Sequence, residues 1–446
     1  AALQGEDMPD ILPGQTEMEE QESDRQEEGQ GESISYFARW TDRYKEAREY
    51  LYGTMETEPD EEAAHEIMLE EAEQGNAYAM HDMGKIYAQG IGCEADKEMA
   101  DVWYKKALAA MQYVEQKKRN TYLEYRIGKM YQYGLGTDEN LEQAAEWFFK
   151  AAAKEHKYAL YSLGMLYLQG KGVEQDEETA YSLLFRSYSK GNPYAAYELG
   201  KLYAAGCGTE KNQEKSENCY RAAFLGFLNL EKKSKDDTLW YRIGCMYLHG
   251  IGTEADETKA EHYLTKASDY GNAHASYQLA RLYIRQESQK LSGESGTAPD
   301  YAKIAKAVKW LEESAAQENL FADYALGRLY REGTLVVADM EKAVFHLKRA
   351  ADAGNSYAQY QLGKIYLEED TRNIPAAIQY LTLAAKQKNE FAAYRLGKLY
   401  LAGEELPKNT ELALHYLKMA ADTGNQYAQY ALGKVYLIGK DARQDK

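Results

Sequence analysis

The sequence predicts an all-α protein, a solenoid of about ten to eleven helix-turn-helix repeats. A ten-residue phrase recurs with few changes, as YAQYQLGKIY from residue 357 and YAQYALGKVY from residue 427. Copies of the phrase are most often 36 residues apart, and each complete copy is followed by a second helical stretch. A fixed period of this length is typical of stacked repeats, because one helix pair alone cannot bury its apolar face.

The first helix of each repeat, helix A, contains the phrase. Its apolar residues recur at helical spacing, as in Ala358, Leu362 and Tyr366. A glycine in the phrase costs about 1 kcal/mol relative to alanine, so we predict that the second helix crosses there and leaves no room for a side chain. The phrase glycines are Gly84, Gly128, Gly164, Gly200, Gly244, Gly327, Gly363, Gly397 and Gly433, with Ala280 in one copy and Ala47 in a faint earlier one.

The second helix, helix B, follows a glycine-rich turn. Helix A usually ends at a glycine pair such as Gly134/Gly136, since glycine adopts the left-handed conformation that stops a helix. Helix B then begins after an aspartate or asparagine that can cap it, as in NLEQAAEWFFKAAA (140–153). Three segments depart from the pattern, at 111–120, 226–237 and in an insertion at 286–300. Irregular parts of a regular array are the best candidates for partner contacts.

Residues 1–33 differ in composition from the repeats. They hold eleven acidic residues against one arginine, and so supply −10 of the net charge of −19. We predict a disordered acidic tail over 1–33 and a solenoid over 34–446. The chain has no signal-peptide pattern and no long apolar run, and its four cysteines form no repeating pair, so we expect a cytoplasmic protein without a membrane span.

The sequence offers no catalytic constellation. No two of the eight histidines lie within four residues, and neither a C-x-x-C pair nor a phosphate-binding glycine loop occurs. One S-x-x-K pair, Ser187 and Lys190, lacks the companion motifs of penicillin-recognising enzymes. We therefore predict a protein that is not an enzyme and holds no metal or cofactor. An unrecognised site, the alternative, would lie in the irregular segments and would carry buried groups with displaced pKa values.

The 36-residue unit resembles the Sel-one-like repeat (SLR) family, a relative of the tetratricopeptide repeats. The clearest matches are LGMLYLQGKGV (163–173) and LGKLYAAGCGT (199–209), and the resemblance covers about residues 35–446. It implies a right-handed superhelical solenoid in which helix A lines the concave side. It also implies a scaffold for protein–protein interaction.

Two rows of side chains would then line the concave side. A tyrosine stands three residues before most phrase glycines, and a cation stands one residue after most of them. Tyrosine and cation are therefore four residues apart, which makes them neighbours on one face of the helix. The rows comprise Tyr125, Tyr161, Tyr197, Tyr241, Tyr277, Tyr324, Tyr360, Tyr394 and Tyr430, with Lys85, Lys129, Lys201, Arg281, Arg328, Lys364, Lys398 and Lys434. Either the rows are packing with a solvated lysine over each ring, or they form a groove for an extended anionic ligand.

Two functional hypotheses follow. The first is an adaptor that binds a protein partner, as an extended peptide or a helix, on the concave face. The second rests on FAAYRLGKLYLAGEELPKN, which resembles repeat arrays that follow the nuclease domain in some conjugative mobilisation relaxases of Firmicutes. That resemblance implies a C-terminal repeat region that docks partners or single-stranded DNA. The sequence leaves the partner and the oligomeric state open.

Overall fold

The computed structural model describes residues 35–53, 58–232, 235–292 and 298–438, and within them the protein is all α-helical. Twenty-one α-helices and one short 3-10 turn, Glu369–Thr371, account for the regular structure, and this part of the chain contains no β-strand. The acidic tail predicted for 1–33 lies outside the described residues. The fold class predicted from the sequence is confirmed.

The helices fall into two compact units, residues 1–263 (unit 1) and 264–446 (unit 2). Unit 1 contains α1 (Asp42–Tyr52), α2 (Glu61–Glu73), α3 (Ala77–Gln89), α4 (Lys97–Lys117), α5 (Thr121–Tyr133), α6 (Leu141–Ala153), α7 (Lys157–Gln169), α8 (Glu177–Ser189), α9 (Pro193–Ala205), α10 (Gln213–Glu231) and α11 (Asp237–His249). The boundary falls within α12 (Glu257–Asp269). Unit 2 continues with α13 (Ala273–Ser292), α14 (Tyr301–Ala316), α15 (Leu320–Glu332), α16 (Met340–Asp352), α17 (Ser356–Ile365), α18 (Ile374–Lys386), α19 (Glu390–Ala402), α20 (Thr410–Asp422) and α21 (Gln426–Ile438).

Odd-numbered helices from α3 onward are the predicted helices A, and even-numbered ones are helices B. Within each unit a helix A packs most extensively on the helix B that follows it and less on the helix B before it. The pair α1 and α2 continues this pattern at the start of the array, with Ala47 fully buried at the position of the phrase glycine. The faint first copy in the sequence is therefore a true repeat.

The phrase glycines lie where the two helices of a repeat cross. A methyl group added at Gly128 would lie 2.6 Å from the ring of Phe148, and one at Gly397 would lie 2.7 Å from Leu417. In both cases the opposing side chain comes from helix B, twenty residues further along the chain. These separations are far below a van der Waals contact, so the predicted reason for the glycine is confirmed.

The second glycine of each turn pair has a role that the sequence analysis did not find. Gly136 has a positive φ of 67°, and a methyl group there would lie 2.4 Å from the backbone of Tyr104 and Lys105 on the preceding helix B. Gly172 meets the backbone of Leu141 in the same way. The first glycine of the pair thus ends helix A, and the second allows the backbones of successive repeats to come into contact.

The irregular segments are largely helical. Helices α4 and α10 have 21 and 19 residues where most helices B have 13, so the extra residues at 111–120 and 226–237 mainly lengthen helix B. Helix α13 runs to Ser292, into the insertion at 286–300, because Gln286 stands where other repeats have the helix-ending glycine. Residues 293–297 of the insertion lie outside the described part.

Asparagine caps fix the start of most helices A and connect neighbouring repeats. The side-chain oxygen of Asn192 accepts from the backbone N–H of Tyr194, and its Nδ2 donates to Ser187 Oγ at 2.9 Å. Ser187 Oγ in turn donates to the carbonyl of Lys157, the first residue of α7 in the same repeat as Ser187, at 2.6 Å. The serine of the S-x-x-K pair therefore holds a repeat junction.

Replacing Gly128 with alanine is expected to lower the free energy of unfolding by about 1–3 kcal/mol, the usual cost of overpacking a core. The added methyl group would press on the ring of Phe148, which is fully buried. Urea unfolding followed by circular dichroism measures the change. Gly433→Ala is the matched control, because that helical glycine faces open space and alanine favours the helix. Equal stability of the two variants would contradict the crossing explanation.

Replacing Lys388 with glycine is expected to stabilise the protein by up to about 1 kcal/mol. Lys388 has a φ of +61°, which is costly for a residue with a side chain. The adjacent repeats place Gly354 and Gly424 at the same position before the capping asparagine. Thermal unfolding should show a higher midpoint for Lys388→Gly and a lower one for the control Lys386→Gly, which lies in helix α18. A lower midpoint for both would mean that the left-handed conformation carries no strain.

Candidate interaction surface on helices A

The ladder face is the side of helices A that carries the phrase tyrosines, the cations four residues later and the aromatic residues three residues earlier. The structure brings tyrosine and cation together within one helix. The charged groups of Arg281, Lys364 and Lys398 lie 5.5, 5.7 and 5.9 Å from the ring centres of their tyrosines. These are cation–π distances, so each lysine or arginine lies over a ring as the packing interpretation requires.

Four phrase tyrosines of unit 2 also contact the earlier aromatic residue of the next repeat. The ring centres of Tyr360 and Phe391 are 5.9 Å apart, and those of Tyr394 and Tyr427 are 6.1 Å apart. Tyr324 pairs with Tyr357 at 6.3 Å, and Tyr277 with Phe321 at 6.2 Å. Aromatic pairs at such distances stabilise the stacking of repeats. The tyrosine row is therefore part of the architecture in unit 2.

In unit 1 the ladder face is buried. The four predicted tyrosines are at most 8 % exposed, namely Tyr125, Tyr161, Tyr197 and Tyr241. Lys129 is buried and donates to the hydroxyl of Tyr133 at 2.8 Å, while the half-buried Lys201 forms an ion pair of 2.7 Å with Glu198. Lys85, also half-buried, lies over the ring of Tyr52. These side chains make their contacts inside the protein.

Arginines two residues before the phrase glycine extend this buried layer. The guanidinium of Arg242 lies 5.3 Å from the ring centre of Tyr194 and 5.7 Å from that of Tyr197. Arg126 lies 5.9 Å from the rings of both Tyr78 and Tyr122. Both arginines are less than a tenth exposed. Arginine is suited to this place because its flat guanidinium stacks on rings and is weakly hydrated.

Asp82 on α3 is the centre of a buried polar network in unit 1. Tyr44 Oη donates to Asp82 Oδ2 at 2.8 Å and Arg48 Nη1 donates to the same oxygen at 3.3 Å, while Arg126 Nη2 lies 3.6 Å from Oδ1. Burial alone would raise the pKa of Asp82, but the charge of Arg48, a hydrogen bond with His81 and the charge of Arg126 together outweigh it and hold this pKa far below its usual value. Three helices, α1, α3 and α5, are joined through this carboxylate.

Unit 2 presents the same rows to solvent. The aromatic residues three before the phrase tyrosine are 52, 57, 44 and 71 % exposed, for Phe321, Tyr357, Phe391 and Tyr427. Their counterparts in unit 1 are buried, namely Tyr78, Tyr122, Tyr158 and Tyr194. Tyr277, Tyr324, Tyr360 and Tyr394 are half-buried, and Tyr430 is 75 % exposed. A row of exposed aromatic side chains on successive repeats is the kind of apolar surface that marks an interaction site.

The cations of unit 2 differ in their partners. Arg328 forms an ion pair of 2.6 Å with Glu332, and Arg281 is near the side-chain oxygen of Gln278. Lys364, Lys398 and Lys434 have no carboxylate partner among the residues that the structure describes. The ladder face of unit 2 therefore combines exposed rings with three lysines that lack a carboxylate partner.

Two further arginines join this face, and the sequence analysis did not single them out. Arg331 on α15 bonds Gln361 of the next helix A at 2.5 Å and pairs with Glu368 at 2.6 Å. Arg395 on α19 stands two residues before its phrase glycine, in the same register as Arg126 and Arg242. Aligning the repeats on the glycine and comparing them position by position would have revealed Arg395 and the aromatic row, although not the exposure of that row. Arg331 stands at a position that is leucine in five of the ten copies from Gly84 to Gly433, so no shared cation marks it.

The described residues provide no group of three or more histidine, cysteine or acidic side chains that could hold a metal ion. None of the helices in this part of the chain is long and apolar enough to cross a membrane. All four cysteines are free, and burial raises the pKa of the Cys207 thiol to about 11. A thiol of such high pKa is a poor nucleophile at neutral pH.

Replacing Asp82 with asparagine is expected to lower the free energy of unfolding by about 3–5 kcal/mol at neutral pH, because two buried arginines lose their carboxylate. Since folding depresses the pKa of Asp82 below about 3.9, its stabilisation is present above about pH 4 and is lost as the pH falls further. Unfolding midpoints measured against pH should therefore decline less steeply below pH 4 in the variant.

The matched control for that experiment is Asp101→Asn, which breaks an exposed ion pair with Lys105 on α4. It is expected to cost less than about 1 kcal/mol. An equally small cost for Asp82→Asn would mean that the network contributes little to the stability of unit 1.

The comparisons with known proteins agree with this architecture. The Sel1 repeat model matches eleven segments, at 45–76, 77–110, 122–156, 157–192, 193–225, 241–272, 273–319, 320–355, 356–389, 391–425 and 426–446. The first segment contains the faint copy around Ala47, so the predicted repeat number is confirmed at eleven. No curated protein matches the chain.

Among solved structures, the chain is similar to an SLR-fold protective antigen present in uropathogenic Escherichia coli. The two are 27 % identical with a TM-score of 0.46, over 90 % of this chain and 81 % of that one. A Sel1 repeat protein from Oxalobacter formigenes is 22 % identical with a TM-score of 0.46, over 92 % of this chain and 98 % of the other. With eleven matched segments along most of its length, the chain belongs to the Sel1 repeat family.

Proposed function

We propose that the ladder face of unit 2 binds an extended segment of a protein partner. Sel1 repeat proteins are in general non-catalytic scaffolds for protein interactions, which supplies the class of function. The observation that carries the proposal is the exposure of the aromatic row at Phe321, Tyr357, Phe391 and Tyr427, whose counterparts in unit 1 are buried. The proposal narrows the concave-face binding predicted from the sequence to one of the two units.

The geometry of the row supports an extended partner. Each repeat contributes one exposed ring, one half-buried tyrosine and one cation to the face, so the same set of groups recurs from α15 to α19. An elongated ligand can use such a series repeatedly, whereas a compact ligand would contact one or two repeats. Aromatic residues contribute most of the binding energy at many protein interfaces, and a rim of charged groups adds specificity.

Single-stranded DNA is the second candidate ligand. Exposed rings beside regularly spaced cations also suit a chain of stacked bases. The resemblance of the repeats to arrays in mobilisation relaxases would make this ligand, or a protein of the DNA-processing complex, the natural partner. The net charge of −19 opposes binding to nucleic acid outside the ladder face.

Peptide display on phage tests the proposal. Peptides selected on the full chain should lose affinity by about tenfold or more, that is by at least about 1.4 kcal/mol, on the double variant Tyr357→Ala/Phe391→Ala. Both side chains are well exposed, but each also packs on a tyrosine of the preceding repeat, so circular dichroism and thermal unfolding of the variant must first show an intact fold. Fluorescence anisotropy with the selected peptides measures the affinities.

The matched control is Phe345→Ala, which removes an aromatic side chain of similar exposure from helix B of unit 2. This variant should bind the selected peptides as the unaltered chain does. A selection that yields no binder, or binders that respond equally to both variants, would overturn the proposal. Labelled oligothymidylate at about 50 and 200 mM salt examines the second candidate, which predicts tight binding that weakens steeply with salt.

A further inference from the structure

We infer that Arg331, Lys364 and Arg395 form an anion site on the ladder face of unit 2, and that this site takes a carboxylate side chain of an acidic peptide. The inference rests on the proposed function and names the chemistry of its partner. It concerns three cations on three successive helices A, α15, α17 and α19. Only one of them belongs to the rows predicted from the sequence.

Contacts between the helices bring the three cations to one place. Arg331 bonds Gln361 of α17 at 2.5 Å and pairs with Glu368 just beyond that helix at 2.6 Å. Lys364 lies one turn after Tyr360, and its amino group is 5.7 Å from the ring centre. Tyr360 in turn packs on Phe391 at 5.9 Å, and Arg395 follows one turn later on α19. The ring of Tyr360 thus lies among the three charges.

The electrostatics agree with this geometry. Burial and repulsion from Arg331 and Arg395 lower the pKa of Lys364, and Glu368 offsets only part of the effect. Lys364 and Arg395 have no carboxylate partner in the described part of the chain. Three cations with the single carboxylate of Glu368 among them keep an excess of positive charge, which is unfavourable until a further anion enters. The site is therefore built for a ligand that brings negative charge.

The three cations lie around one ring, that of Tyr360, which suits a single carboxylate of a peptide. Nucleic acid carries charge along its whole length and would meet the acidic surface of a chain whose net charge is −19. A single glutamate or aspartate meets only the local field. A guanidinium can bind its two oxygens in parallel, and the exposed rings of Tyr357 and Phe391 can accept apolar residues on either side.

Fluorescence anisotropy tests the inference with a labelled peptide that alternates glutamate with leucine. Its affinity for the full chain should fall about tenfold in Lys364→Gln and in Arg395→Gln, as for the loss of one charged hydrogen bond. Lys364→Arg should retain most of the affinity. Lys348→Gln is the matched control, because it removes the same charge from the exposed side of helix α16. The counterpart peptide with glutamine in place of glutamate should bind at least tenfold more weakly.

Each other outcome overturns the inference. Equal binding of the glutamate and glutamine peptides, or equal loss in Lys348→Gln and Lys364→Gln, would mean that no anion site exists while the docking surface itself stands. Tighter binding of oligothymidylate than of the glutamate peptide, lost in the same two variants, would assign the site to nucleic acid. Failure of this peptide together with failure of the display selection would overturn the proposed function as well.

Discussion

The close crossing of the two helices within each repeat is the constraint on which the rest of the structure depends. At Gly128 and Gly397 the backbone of helix A approaches side chains of helix B so closely that not even a methyl group fits. This contact fixes how far helix A is rotated about its axis. Every residue at a set distance from the glycine therefore lies on a set side of the helix. The ladder face is a consequence of that register. Its earlier aromatic residue stands six residues before the glycine, its phrase tyrosine three residues before the glycine, and its cation one residue after the glycine.

The turn glycines extend the same principle from one repeat to the next. At Gly136 and Gly172 the turn lies directly against the backbone of the preceding helix B, a contact without side chains in between. In unit 2 this second glycine is replaced, for example by Leu335 and Glu405 after α15 and α19. Side chains join successive repeats there, as in the aromatic pair of Tyr360 and Phe391. Aromatic residues on the ladder face of unit 2 thus serve the stacking of repeats while part of each ring stays exposed.

Much of the fold could be predicted from the sequence, because it depends on local patterns. The number of repeats, the two helices of each and the crossing at the glycine all follow from the period and from helix propensity. The longer helix α13 was missed because a segment such as QESQKLSGESGTAPD was interpreted as an insertion, although no glycine stands at the place where the helix should end.

The exposure of the ladder face could not be predicted. YAAYELGKLY and FAAYRLGKLY are nearly the same phrase, yet Tyr194 is 2 % exposed and Phe391 is 44 % exposed. Exposure depends on which other residues pack over a side chain, and the ten residues of the phrase do not determine those residues.

The arginine two residues before the phrase glycine illustrates how one position can serve two purposes. Arg126 in unit 1 is buried over aromatic rings and lies 3.6 Å from the carboxylate of Asp82. A buried charge is tolerated only with such compensation, and there it joins helices. Arg395 has the same register in unit 2, but it is exposed and no carboxylate of the described residues pairs with it. The two repeats position the cation alike, so the presence or absence of a nearby carboxylate decides its role. A register fixed by helix crossing therefore supplies structural contacts in unit 1, and in unit 2 it supplies a cation of the anion site that we propose.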